Sequence, residues 1–258
     1  MAQGSAGLQT SLGKAELHRV LVRGHDLTGE LLGEASFTDM LALLLLGRLP
    51  DADERRMLDA LLVVLIEHGM VKSVVVSRFI YSNAPESMQA AVAGALLGAG
   101  SKHLGSSEWC ARMLQAAMPA DGSQAGEAVA RTVVADFAGK GERIPGIGHR
   151  THNQGDPRTE RLFAIARETG TYGRHCALLE DIAKAAGESR GRTLPVNVTG
   201  AIAAIASDMG FRWEITRGFA LLGRALGALA HLQEEMTAPL SDRLIEQIRA
   251  ETDYRPTE

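Results

Sequence analysis

Aromatic side chains make up only 4% of this 258-residue chain. An interior so short of rings must be filled by Leu, Val, Ala and Gly, whose small members let helices approach closely. No run of about 18 apolar residues free of charge occurs, which argues against a membrane span. The longest apolar stretch, Met40 to Leu46, is far too short for one. Cysteine is nearly absent: Cys110 and Cys176 stand alone, without CxxC spacing, so neither a disulfide framework nor a zinc site is expected. Both are expected to be buried free thiols. No basic run accompanies the net charge of −4, so a nucleic-acid surface is not expected. The N-terminal stretch MAQGSAGLQTSLGKAEL lacks the charged and apolar regions of a secretory signal, and a cytoplasmic location is the expectation.

What is abundant is apolar residues at helical spacing, and they predict an all-α fold. Ser36 and Asp39 mark the start of a helix over 37–46, which Arg48-Leu49-Pro50 breaks. Asp51 and Asp53 begin a second helix running to about His68. The segment 71–81 contains VVVSRFIY and is β-branched enough for a strand, but helical neighbours on both sides make it a helix. Further helices are expected over 86–97, 108–118, 125–138, 158–168, 174–186, 198–208 and 213–235, with one more after Pro239. Strands do not alternate with helices, which disfavours a Rossmann sheet. The longest irregular segment, 139–157, reads GKGERIPGIGHRTHNQGDP. A long loop inside a compact fold is usually functional.

Three histidines lie at element ends or in loops. His68 closes a helix, where the dipole favours a positive ring; a plain C-terminal cap competes with any role in binding. His103 precedes a helix start, where backbone amides favour a neutral imidazole that can donate a hydrogen bond; a surface loop residue is the alternative. His149 follows Pro145-Gly146-Ile147-Gly148, residues that let a backbone approach a ligand. Beyond it, Asp156-Pro157-Arg158 opens a helix; a simple cap with a solvated arginine is the competing reading. Zinc at His149 and His152 is disfavoured for want of a nearby carboxylate or thiol at ligand spacing.

The stretch PGIGHRTHNQGDPR resembles the citrate synthase signature, Pro-Gly-x-Gly-His followed by Asp-Pro-Arg. GSKHLGSSEWCARML resembles the segment bearing that family's first catalytic histidine, and EHG resembles its Asp-His-Glu region. RALGALAHLQEE resembles its Arg-x-x-Gly-x-x-Ala-His helix, and RGHDLTGELLGEASFTDMLALLLLGRLP its opening Arg-Gly-Tyr and LLxGxLP stretch. These segments come in the family's order over residues 19–236. The short chain and the Glu pair after Ala-His make the resemblance strongest to the compact citryl-CoA lyase type.

The resemblance implies an all-α, citrate synthase-like unit over 1–258, a large helical domain with a smaller one, about 115–225, inserted in it. It implies a carbon–carbon bond made or broken between an acyl-CoA such as acetyl-CoA and a keto acid such as oxaloacetate. His103 would hold the thioester oxygen, His149 would polarise the keto carbonyl, and His68, Arg158 and Arg224 would grip the carboxylates. Bidentate guanidinium geometry suits that last task. Ile144, Gly146, Ile147, Gly148 and Asn153 would meet coenzyme A, with Lys140 and Arg143 near its phosphates. Arg255 or Arg243 would cross a homodimer interface. Coenzyme A enters as the thioester substrate, with no resident cofactor and no metal required.

One departure stands out. The family's catalytic carboxylate lies in an Asn-Val-Asp segment, and here the text is Asn197-Val198-Thr199. A threonine is no general base near neutral pH without an activating partner. Thr199 is either the start of the 198–208 helix and nothing more, or the holder of a water that does the proton work; Glu108 is another candidate for that work. Leu104 also replaces a usual glycine, and Asn153 stands where many relatives carry a basic contact. A chain that kept the pocket and lost the chemistry, binding acyl-CoA only, is the alternative, along with synthase-type acyl transfer.

Overall fold

The Ser36 hydroxyl accepts the Asp39 backbone N–H at 3.1 Å, and the Asp39 carboxylate accepts that of Ser36 at 2.8 Å. This capping box starts α1 (Phe37–Leu46), and Gly47 ends it at φ +78°. The computed structural model describes residues 8–100, 105–121, 123, 125–148 and 155–256. They fall into two compact units, one ending at Asp59 and the other beginning at Ala60.

The first unit holds a small antiparallel sheet, β1 (Gly13–Ala15), β2 (Val20–Val22) and β3 (His25–Asp26), in the order β1-β2-β3. The helical periodicity gave no sign of it, because strands of two or three residues are too short to show alternation. Arg23 and Gly24, both at positive φ, close a tight turn between β2 and β3. The Arg23 guanidinium then donates to the Ser11 hydroxyl and to the Leu44 carbonyl, tying the sheet to α1. Asp26 caps a π-helical turn, Leu27–Leu31. Within this unit Arg55 of α2 (Ala52–Val63) pairs with buried Asp39 at 2.6 Å.

α2 ends at Val63, five residues before the position expected from periodicity. There the hydrogen bonds tighten to three-residue spacing, Leu65 to Leu62 and Ile66 to Val63, and Gly69 turns the chain at φ +70°.

The second unit is built from α3 (Lys72–Asn83), α4 (Met88–Leu97), α5 (Ser106–Ala117), α6 (Glu127–Gly139), α7 (Pro157–Glu168), α8 (Arg174–Arg190), α9 (Val198–Asp208), α10 (Arg217–Thr237) and α11 (Ser241–Glu251). The β-branched 71–81 stretch is helical, as expected. α3 buries Val74, Ser77 and Arg78 on one face, and α4 and α10 pack beside it. Gly94 makes room for α3: a Cβ there would strike the Ile80 side chain. α9 is the hub, with α5, α7 and α8 against it and nearly every residue from Val198 to Ser207 buried. A helix buried all round needs small residues on several faces, and its alanines supply them. Gln115 of α5 donates to the Ser207 hydroxyl and the Phe211 carbonyl and accepts the Trp213 N–H, stapling α5 to the end of α9 and to the following 3-10 turn. Cys110 and Cys176 are buried free thiols, and burial pushes both upward in pKa. No helix among the described residues is long and apolar enough to cross a membrane.

Candidate active site

The loop ending at Gly148 is locked onto the start of α9. Ile147 and Val196 form an antiparallel bridge, the Gly148 N–H donates to the Pro195 carbonyl at 2.7 Å, and the Asn197 N–H donates to the Gly146 carbonyl at 2.9 Å. The Asn197 side chain completes the clasp, its amide N–H donating to the Gly148 carbonyl at 2.8 Å. Its amide oxygen caps α9 by accepting the Gly200 N–H. A Cβ on Gly146 would lie 2.6 Å from Cys110 Sγ and 2.9 Å from Gly200 Cα, so glycine is required for α5, the loop and α9 to meet. Ile144, Gly146, Ile147 and Gly148 therefore form a rigid shelf at the N-terminus of α9.

Thr199 sits beside that shelf, half-buried. Its hydroxyl donates to the Asn197 amide oxygen at 2.7 Å and accepts the Ser106 hydroxyl at 2.8 Å. Among the described residues no carboxylate or imidazole is bonded to it, so nothing there activates it as a base. Glu108, the other candidate for proton work, is engaged in an ion pair with Arg217 at 2.7 Å.

Asp156 is buried and caps α7, accepting the Arg158 and Val198 backbone N–H groups. It also takes the Arg158 side chain through Nε at 3.0 Å and Nη2 at 2.9 Å. Burial alone would raise the Asp156 carboxyl, but these donors hold it below the usual carboxylate range. Asp156 does cap, as the plain reading had it, and Arg158 is only partly exposed, with one edge of its fork held by Asp156.

Arg224 differs. It lies on α10 with 5% of its surface exposed, and among the described residues its Nε and Nη1 have no hydrogen-bond partner. A buried guanidinium left unpaired costs several kcal/mol unless an anion completes it. His68 is exposed in the turn after α2, its backbone N–H held by Glu67 at 2.8 Å. Arg255 is exposed in the C-terminal tail and pairs with Asp253 at 2.8 Å. His103, His149 and Asn153 lie outside the described residues, as do Leu104 and His152; their neighbours Gly105, Gly148 and Gly155 flank the α5, α9 and α7 starts. A groove of about 900 Å³ runs between α5 and α6 to Pro145, with Lys140 and Arg143 at its rim and Met113, Val133 and Phe137 along it. Periodicity did not single out Asn197, whose amide connects the shelf, α9 and Thr199.

The sequence model of the citrate synthase C-terminal domain matches residues 23–248. The chain belongs to the citrate synthase family. A solved structure of citryl-CoA lyase from Hydrogenobacter thermophilus superposes with a TM-score of 0.86 at 36% identity, covering 97% of this chain and 95% of that one. ATP citrate lyase from Methanosaeta concilii, solved with (3S)-citryl-CoA, superposes at 0.77 over the whole of this chain and 43% of its own. At 19% identity that likeness is one of fold. Curated relatives provisionally named citrate synthases, among them one from Mycobacterium tuberculosis, are 35% identical over 123 residues, 47% of this chain. The chain spans 31% of the length of these curated relatives. Within the citrate synthase family, the expected all-α fold and the ordered motifs agree with these matches.

Proposed function

We propose that this citrate synthase family member is a citryl-CoA lyase-type enzyme, cleaving or forming the carbon–carbon bond between an acyl-CoA such as acetyl-CoA and a keto acid such as oxaloacetate. The observation that carries the reading is Arg224, a buried cation on the helix that bears the family's arginine motif, two of whose nitrogens have no partner among the described residues. A carboxylate of the keto acid is the anion that would complete it. The free edge of Arg158 and the ring of His68 supply the remaining contacts in this reading. Likeness along the full length of the Hydrogenobacter citryl-CoA lyase supports it independently.

In the cleavage direction, His149 takes the proton from the tertiary hydroxyl of citryl-CoA. The carbon–carbon bond breaks, its electron pair passes to the acetyl thioester as an enolate, and oxaloacetate leaves. His103 donates to the enolate oxygen; one preorganised donor of this kind contributes about 3 kcal/mol. The enolate carbon must then be protonated. Thr199 contributes no acid of its own, so the proton comes from a water held at the Ser106–Thr199 hydroxyl pair. The Ile144–Gly148 shelf meets the adenine of coenzyme A, with Asn153, Lys140 and Arg143 toward its phosphates. Coenzyme A is a substrate here, with no resident cofactor or metal.

The helices 115–225 form the smaller domain in this reading, and the enzyme works as a cytoplasmic homodimer. An exposed apolar stripe on α10, Leu222, Leu226, Leu229 and Met236, supports contact with a second copy; Arg255 in the exposed tail is the arginine that would cross to it.

The test is to add citryl-CoA and follow oxaloacetate with a coupled dehydrogenase. Turnover is expected. A second reading, an acyl-CoA-binding relative without turnover, is favoured by the missing carboxylate at Thr199. Tight coenzyme A binding without oxaloacetate release would select it.

A further inference from the structure

Gly223, Gly227 and His231 lie at four-residue spacing on one face of α10, and that face presses successively on Leu65, Ile66 and Glu67. A Cβ on Gly223 would sit 3.1 Å from Leu65, and one on Gly227 would collide with the Ile66 carbonyl. His231 is the third member of this row, and its Nε2 lies 3.0 Å from Glu67 Oε2. Its other nitrogen, Nδ1, lies 2.8 Å from Nη2 of Arg78, a fully buried side chain. A guanidinium only donates, so Nδ1 must accept, and the ring proton must sit on Nε2. On this bonding pattern His231 accepts from Arg78 through Nδ1 and donates to Glu67 through Nε2. Arg78 itself is held by Glu235 at 2.7 Å and by Glu234. Beyond His231, Glu67 Oε1 accepts the backbone N–H groups of His68 and Gly69.

We infer that His231 is a positioning residue. With its tautomer set by Arg78, it holds the Glu67 carboxylate so that Glu67 fixes the His68–Gly69 turn, and with it the direction in which His68 is presented. The inference rests on the proposed reading that His68 contacts the keto acid. It adds a group that touches no substrate and yet sets affinity for one half of it. A merely structural histidine at this place would pack against the turn without needing a defined tautomer.

The experiment uses the full-length protein with oxaloacetate and coenzyme A as separate probes in calorimetric titrations. His231→Asn keeps an acceptor toward Arg78 but is too short to reach Glu67; His231→Gln reaches Glu67 with an amide donor. His231→Asn should weaken oxaloacetate binding about tenfold or more, the loss of one charge-assisted hydrogen bond, while leaving coenzyme A affinity alone. His231→Gln should recover most of that loss. Long-range proton–nitrogen correlation spectra of the wild type should show His231 with its proton on Nε2. Hydrogen exchange at the Gly69 amide should speed up in His231→Asn. A proton on Nδ1, or wild-type oxaloacetate affinity in His231→Asn, overturns the relay. If the wild type binds no oxaloacetate, the lyase reading fails instead. The relay is then judged without ligand: faster Gly69 exchange in His231→Asn upholds it, and unchanged exchange overturns it.

Discussion

Gly146 and Gly200 meet with no space for a side chain on either: a Cβ on Gly200 would lie 2.5 Å from the Gly146 carbonyl oxygen. The contact fixes the height of the 144–148 shelf above the first turn of α9. Gly200→Ala should push the shelf away, break the Asn197–Gly146 hydrogen bond and cost about 1–3 kcal/mol by overpacking. Urea denaturation reads the loss, and coenzyme A titration should show weakened binding. An unchanged denaturation midpoint would mean that the shelf yields freely.

Arg224→Met removes a buried cation and retains its bulk. The folded protein should be as stable as the wild type or more so, by up to about 4 kcal/mol, the range seen when buried charges give way to apolar groups. Oxaloacetate affinity should fall about a hundredfold as a bidentate charged contact is lost. Thermal melts and titration separate the two effects. Lower stability with intact affinity would place the missing partner of Arg224 within the protein.

Thr199→Asp places a carboxylate where the family carries its base, within reach of the Ser106 hydroxyl that now donates to Thr199. Exchange of the acetyl-CoA methyl protons into deuterated water should accelerate about a hundredfold, the lower range for general base catalysis. Flat or slower exchange would show that Thr199 is not simply a lost base.

His149→Ala should abolish citryl-CoA cleavage while leaving the circular dichroism melt intact, because the role proposed for this ring is chemical. Retained turnover would remove His149 from the chemistry.

Acid should loosen the α10–α11 junction first. Burial by itself would raise the Glu235 carboxyl. The Ser241 hydroxyl, Arg78 and the Ser241 and Leu240 backbone N–H groups outweigh that and bring it down to about 2. A carboxyl depressed in the folded state contributes stability that is whole above its ordinary value, here 4.5, and lost as pH falls toward about 2. Asp156, also depressed, adds in the same direction. Glu235→Gln should therefore flatten the fall in stability across that window, read by urea midpoints at successive pH values. An equally steep acid loss in Glu235→Gln would assign it to other carboxylates.

Much of this architecture is written locally. Ser36 and Asp39 announce α1, Asp156 and Pro157 announce α7, and the ordered family segments carry the fold as a whole. The 71–81 helix is different: its residues favour a strand, and it is helical in a setting where α4 and α10 pack on it and Arg78 is bound by α10. The β1–β3 sheet escaped the pattern because its strands are shorter than one cycle of alternation, although Arg23-Gly24 is the turn that closes it. At the site, the string pointed to Thr199 as a departure but could not say what it faces. Ser106, Thr199 and Asn197 form their hydroxyl–amide chain only once α5 packs on α9.

By itself the sequence determined most of the helices, several of their caps, and the family, since caps and apolar spacing act over three or four residues. Only the tertiary structure decided that Arg224 is buried with two nitrogens unpartnered among the described residues, and that Arg78 meets Nδ1 of His231. The second of these joins partners 153 positions apart along the chain. Pairing and burial of charge are properties of packed space, and no local spacing encodes them.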